Sequence, residues 1–245
     1  MKELRHVGLA MMESDAMTCA FDIDGNHVTL HIPESDGELH LDCVVYLHVV
    51  EGDGGDVWEQ CRQLGCGRFA LAAIRPRDWN DDLTPWECSG LFADDAPFVG
   101  NAQAQLRLLE RRIIPAVEQY LQESSGKRII AGYSLAGLFA AWAAFESLAF
   151  DGLASASGSF WYPGFAQFAR EHSLASPVGR AYFSLGSKET RTPSRLLRNV
   201  GQGTQQVVDA FRAKGVATTF EQNPGNHFRE PALRMAKGIR WVLAQ

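Results

Sequence analysis

Three residues far apart in the chain have the types needed to make an activated nucleophile: a serine in a tight turn, a histidine and a carboxylate. The serine is Ser134, within Gly132-Tyr133-Ser134-Leu135-Ala136-Gly137. It stands between an apolar run at 128–132 and a stretch at 135–148 in which nearly every residue is apolar or small. A sharp strand-to-helix turn exposes such a hydroxyl, provided the residues two before and two after it are small enough for the backbone to close on itself. Gly132 meets this condition, and Ala136 departs from it by one methyl. The first amides of the following helix carry its positive end toward the same point, so an oxyanion is stabilised there, with the Leu135 N–H as the expected donor. The competing reading is an ordinary turn serine that caps a helix.

A serine hydroxyl needs a base. Seven histidines are available. His227 lies in the turn-rich Asn223-Pro224-Gly225-Asn226-His227, after the last apolar run and before the last helical segment, where this chain order puts the base. His27 and His31 are expected to face solvent on an early hairpin, and His48 to be a hydrogen-bonded core residue. His172 lies in a polar stretch without an evident partner. The third member should follow the penultimate strand, where Gly186-Ser187-Lys188-Glu189 offers one acid. Glu189 would hold the imidazole in the correct tautomer. Lys188 beside it equally suits a solvated salt bridge, and a Ser–His dyad or an acid from elsewhere are the alternatives.

The elements that must position these groups read as an alternation. Residues 17–23 and 27–32 form a hairpin around Asp24-Gly25-Asn26, a turn signal. Short apolar runs follow at 43–50, 68–74, 128–132, 152–157, 180–186 and 216–221, the pattern of strands buried on both faces. Helical segments lie at 56–65, 101–122, 135–148, 200–214 and 230–243, with Pro115 expected to kink or break the second. Such alternation implies a mostly parallel α/β sheet with helices on both faces, and ligands bind beyond the carboxyl ends of its strands.

The order Ser134, Glu189, His227 resembles the α/β-hydrolase superfamily, and more narrowly its putative-esterase branch with esterase D, S-formylglutathione hydrolase and enterochelin esterases. The pieces that carry the resemblance are VVYLHVV, DDLTPW, LERRIIPAVEQYL, RIIAGYSLAGLFA, SASGSFWYPGF, YFSLGSKE and NPGNHF, from about residue 43 to the C-terminus. It implies an eight-stranded, mostly parallel sheet with an N-terminal hairpin, no metal, no organic cofactor, and carboxylic-ester hydrolysis through an acyl-enzyme. The family's His-Gly after the third strand reads here His48-Val49-Val50-Glu51-Gly52, so the second oxyanion amide is expected only somewhere in Val49–Gly54. The glycines of EGDGGD do not make a phosphate loop: no Lys-Ser/Thr follows them, and the acids would repel phosphate.

With 245 residues, 46% of them apolar, the chain is expected to form one α/β-hydrolase domain over 1–245, with 75–100 as a rim or lid loop. Tyr133, Trp86 and Trp161 are expected in the substrate pocket. Lys188, Arg191, Arg195 and Arg198 form a basic set that suits a carboxylate-bearing substrate or, more commonly, a solvated face. The net charge of −6 argues against a nucleic-acid or anionic-membrane partner. No stretch is apolar enough to span a bilayer, the N-terminus lacks a secretory pattern, and five scattered cysteines suit a reducing compartment, so a cytoplasmic location is expected. The expected partner is a small-molecule ester. An acyltransferase would use the same residues, and a non-catalytic binding protein of the same fold is the third reading, motivated by Ala136 and the unusual oxyanion loop.

Overall fold

The computed structural model describes residues 12–13, 16–34, 41–91, 95–122, 126–175 and 178–244. His6 and His40 lie outside them. Among the described residues nine strands form the sheet: β1 (Met12–Glu13), β2 (Ala16–Ile23), β3 (Asn26–Pro33), β4 (Cys43–His48), β5 (Phe69–Arg75), β6 (Lys127–Tyr133), β7 (Gly152–Ala156), β8 (Arg180–Gly186) and β9 (Ala217–Asn223). Their order is β1-β2-β3-β5-β4-β6-β7-β8-β9. The eight strands read from sequence are β2 to β9; β1 is a two-residue addition at the edge. From β5 across to β9 every pair is parallel, while β1, β2 and β3 join by antiparallel pairing. Asp24 and Gly25 turn the β2–β3 hairpin with φ of 48° and 85°, the left-handed pair that matches strand twist.

The helices are α1 (Gly55–Gln63), α2 (Trp79–Asp82), α3 (Ala102–Leu108), α4 (Ile114–Leu121), α5 (Leu135–Glu146), α6 (Phe165–Glu171), α7 (Arg195–Arg198), α8 (Val200–Ala213) and α9 (Pro231–Leu243). The short α2, α6 and α7 were not legible in the sequence, since four to seven residues give too little period to read. Two apolar cores sandwich the sheet. One gathers α3 to α6 and α8; the other gathers α1 and α9. α5 is buried along its length from Leu135 to Phe145, as its composition requires. The 101–122 helical segment is interrupted just before Pro115. A π-helical turn at Leu109–Ile113 separates α3 from α4 and sets Pro115 in the first turn of α4, where its missing N–H is not needed.

Candidate active site

Parallel pairing of β6 with β4 and β7 fixes the height at which the chain leaves the sheet, and Ser134 is the first residue beyond β6. Its backbone is strained, with φ 59° and ψ −122°. The bend is held by Ser134 N–H donating to Ala156 O (3.2 Å) and by Ser159 N–H donating to Ser134 O (3.0 Å). A Cβ at Gly132 would sit 2.3 Å from the Ala136 backbone, so residue 132 must be glycine. Ala136 is fully buried against it, and its methyl is accommodated. Leu135 opens α5; the Gly137 and Leu138 amides donate to Ser134 O (3.0 and 3.1 Å), which leaves the Leu135 and Ala136 N–H groups without an acceptor in the helix.

The structure brings the three chemistry-bearing residues together. Ser134 Oγ lies 3.1 Å from His227 Nε2, and His227 Nδ1 lies 2.8 Å from Glu189 Oε2. His227 is contributed by the loop between β9 and α9, and Glu189 by the turn after β8. Glu189 Oε1 accepts hydrogen bonds from Gly186 N–H (2.6 Å) and Ser157 Oγ–H (2.7 Å). Burial pushes the Glu189 carboxyl up, but these bonds and the one to His227 outweigh it and hold it below its ordinary value. A side chain at Gly186 would strike Gly225 O at 2.6 Å and Glu189 Oε1 at 2.8 Å, so the turn closes only over glycine.

Sequence reasoning missed the group beneath this line of hydrogen bonds. Arg234, on α9, is 2% exposed. Its Nη1 donates to Glu189 Oε1 (3.1 Å), Ser157 Oγ (3.1 Å) and Tyr133 Oη (3.2 Å). Its Nη2 donates to Pro224 O (2.8 Å) and Asn226 O (2.9 Å), tying down the histidine loop. Tyr133 in turn donates to His227 O at 2.6 Å. The missed signal was a lone cation four residues before Gly238 and eight before Val242, on the stripe α9 buries.

Two cavities meet at Ser134 and His227. The first, about 510 Å³, is walled by Trp79, Leu91, Phe98, Trp161, Leu197 and Val200, with Lys188 and Arg191 also lining it. The second, about 420 Å³, is lined by His48 to Glu51, Tyr133, Pro231 and Met235 among others. Trp161 and Tyr133 thus reach the cavities. Trp86 does not: it packs on Tyr162, Phe165 and Phe168 and donates its indole N–H to Pro163 O (3.0 Å), so it fastens the 75–100 stretch to the body. From that stretch Trp79, Asn80, Leu91 and Phe98 line the first cavity. In the expected oxyanion loop, Val49 N–H is already bonded to Ile74 O (2.9 Å), while Val50 and Glu51 face the second cavity.

The remaining described histidines are accounted for. His48 is buried, with Nε2 3.2 Å from Gln105 Nε2, and burial pushes its imidazole down to about 3. His31, expected to face solvent, is buried instead; it stacks on Trp58 and its Nε2 lies 2.8 Å from Asp53 O, because β3 is an interior strand between β2 and β5. His27 pairs with Asp22 at 2.9 Å, and His172 stacks on Phe168. Among the described residues no helix is long and apolar enough to cross a membrane, and no group of three or more His, Cys, Asp or Glu stands in metal-holding proximity.

No family model matches the chain. In sequence it is similar to the uncharacterized protein YbbA of Bacillus subtilis (strain 168), 26% identical over 182 residues that cover 71% of this chain and 73% of that one. In structure it is similar to the siderophore hydrolase EstB from Aspergillus nidulans, with TM-score 0.72, 18% identity, and 96% and 97% of the two chains covered. It is also similar to an IroE-like serine hydrolase from Shewanella oneidensis, with TM-score 0.74, 16% identity, and 93% and 79% covered. The enterobactin and salmochelin hydrolase IroE gives TM-score 0.69 at 17% identity, over 96% and 98% of the two chains. The architecture is the α/β-hydrolase fold, in the form these hydrolases share.

Proposed function

We propose that the protein is a serine esterase that cleaves a small or medium carboxylic ester through an acyl-enzyme. The observation that carries this reading is the unbroken hydrogen-bonded line from Ser134 Oγ through His227 to Glu189, beginning on a strained bend at the head of a buried helix. Ser134 Oγ attacks the acyl carbon and its proton passes to His227 Nε2. Glu189 orients the imidazole and stabilises the imidazolium. Negative charge on the former carbonyl oxygen is met by the Leu135 N–H and the positive end of α5, with Val50 or Glu51 N–H as the second donor. The ester bond then breaks, and His227 returns the proton to the departing alkoxide. Water, deprotonated by the same nitrogen, attacks the acyl-enzyme; the acid leaves and the proton returns to Ser134.

Cavities of about 510 and 420 Å³ on either side of Ser134 suit the acyl and alcohol halves of such a substrate. The likeness to chains described as siderophore and serine hydrolases supports water as the acceptor. Five free thiols support a reducing, cytoplasmic setting. The test is a fluorophosphonate probe together with p-nitrophenyl esters of rising chain length. Stoichiometric labelling at Ser134, lost in Ser134→Ala and weakened in His227→Ala, is expected. Folded protein that neither labels nor turns over any ester would overturn the proposal, and product esters formed with added alcohols would convert it to acyl transfer.

A further inference from the structure

We infer that the ester this site takes carries a fixed negative charge of the carboxylate class on the half that fills the cavity walled by Lys188 and Arg191. The inference rests on the esterase reading and narrows its substrate. The cavity's other walls are largely apolar, yet two exposed cations line it. Among the described residues neither has a carboxylate within ion-pair distance, a state shared by other surface cations such as Arg195 and Arg198, and what sets these two apart is that they line this cavity. Among the described residues the one acid lining the same cavity is Glu189, whose oxygens are engaged by His227, Ser157, Gly186 and Arg234.

The position of these cations is set by the relay itself. Lys188 N–H donates to Gly225 O (2.9 Å) and Arg191 N–H to Lys188 O (3.0 Å), so the turn that aims Glu189 also holds both cations in register with the histidine loop. The second cavity has the opposite character. Glu51 and Asp56 line it, and no Lys or Arg does among the described residues. An anion is therefore favoured on one side of Ser134 and repelled on the other, within a chain whose net charge of −6 disfavours anions generally.

Two matched pairs of esters test this. 4-Nitrophenyl hemisuccinate against 4-nitrophenyl butyrate puts the charge on the acyl half; 4-carboxyphenyl acetate against 4-carbamoylphenyl acetate puts it on the alcohol half. After correction for intrinsic alkaline lability, the anionic member of one pair should show the higher kcat/KM, by about tenfold for two partly exposed cations. Added salt should shrink the preference. Lys188→Gln with Arg191→Gln should abolish it, and Lys188→Glu with Arg191→Glu should invert the ratio. Turnover of the neutral esters with no anionic preference in either pair overturns the inference and leaves the esterase reading standing, as does a preference that survives charge reversal. Failure of the esterase reading looks different: no ester is cleaved and Ser134 stays unlabelled, and the inference falls with it.

Discussion

Two polar clusters lie at the carboxyl edge of the parallel strands, and they are built on opposite terms. Around Arg234, a buried guanidinium and a buried carboxylate share Ser157, Tyr133 and the histidine loop, and Glu189 has a donor at each oxygen. Around His48, at the end of the neighbouring β4, Gln105 Nε2 bridges to Asn26 Oδ1 (2.8 Å), yet Asn26 Nδ2, Gln105 Oε1 and His48 Nδ1 find no partner among the described residues. The difference follows the charge. A buried ion without partners costs several kcal/mol and is not tolerated, while a neutral orphan costs roughly 1–3 kcal/mol and can be. The cluster that carries charge is also the one that supports the Ser134–His227–Glu189 line of hydrogen bonds.

The sharpest way to separate the clusters is to remove the hydroxyl that only one of them serves. Ser134→Ala should lower ester turnover by roughly 10⁴-fold or more, because the nucleophile and its base act as a unit. Its urea midpoint should stay close to that of the unaltered protein, since the Ser134 hydroxyl bonds His227 Nε2 (3.1 Å) and Ser159 Oγ (3.4 Å) while the strained bend is held by backbone hydrogen bonds. A large loss of stability together with activity would mean that the bend is held by the hydroxyl itself, and the contrast would lose its basis.

Arg234→Met strikes the charged cluster directly. Glu189 loses its buried cation, and the carbonyls of Pro224 and Asn226 lose their donor. Unfolding in urea should show a loss of about 3–5 kcal/mol, the range for a buried pair broken from one side. Adding Glu189→Gln removes the charge left behind, so the double variant should lose less than the sum of the two single changes. Strict additivity would show that the ion pair is not energetically coupled.

The neutral cluster should answer to acid. Burial drives the His48 imidazole from its ordinary 6.5 down to about 3. In that window the unfolded chain binds a proton that the folded chain refuses, so stability falls as pH falls. Between pH 7 and pH 4 this is on the order of 3 kcal/mol. His48→Leu should flatten that part of the curve. The Glu189 share should survive: its folded carboxyl is depressed, so its contribution is present above the ordinary 4.5 and disappears only as pH drops through the lower folded value. An acid limb unchanged in His48→Leu would show that the histidine is hydrated and titrates freely.

The frame and the relay were legible for a physical reason. Six strands announce themselves as apolar runs and two as a hairpin about a turn signal, and Ser134, Glu189 and His227 follow such runs, where a parallel sheet delivers its loops. What escaped was set by tertiary contact. Nothing local to Arg234 says that it meets Glu189, because α9 reaches β6, β7 and β8 only after the sheet is assembled. Trp86 was drawn toward the pocket by its position in a long loop, but a large aromatic finds more contact against Phe165 and Phe168 than in a cleft. His31 was placed outside by alternation, a rule that fails for an interior strand covered by Trp58.

The smallest expected effect lies where the charged cluster touches the base itself. Tyr133 Oη accepts from Arg234 and donates to His227 O, while burial holds its phenol above the ordinary value, so it stays a neutral donor. In Tyr133→Phe, Arg234 Nη1 retains Ser157 and Glu189, and the ring's edge contact with His227 at 5.2 Å between centroids is kept. Of the two bonds the hydroxyl makes, the one from Arg234 is one of three at Nη1, so the main loss is the anchor on the backbone of residue 227. That should cost about 1 kcal/mol of stability, the usual worth of one buried hydrogen bond. It should reduce kcat severalfold with KM nearly unchanged, because a less firmly held imidazole is misplaced for proton transfer but not for binding. Tyr133 already lines the second cavity, so equal losses in kcat and in affinity for a neutral ester would instead show that its hydroxyl contacts substrate there, and the two clusters would then differ in substrate contact as well as in charge.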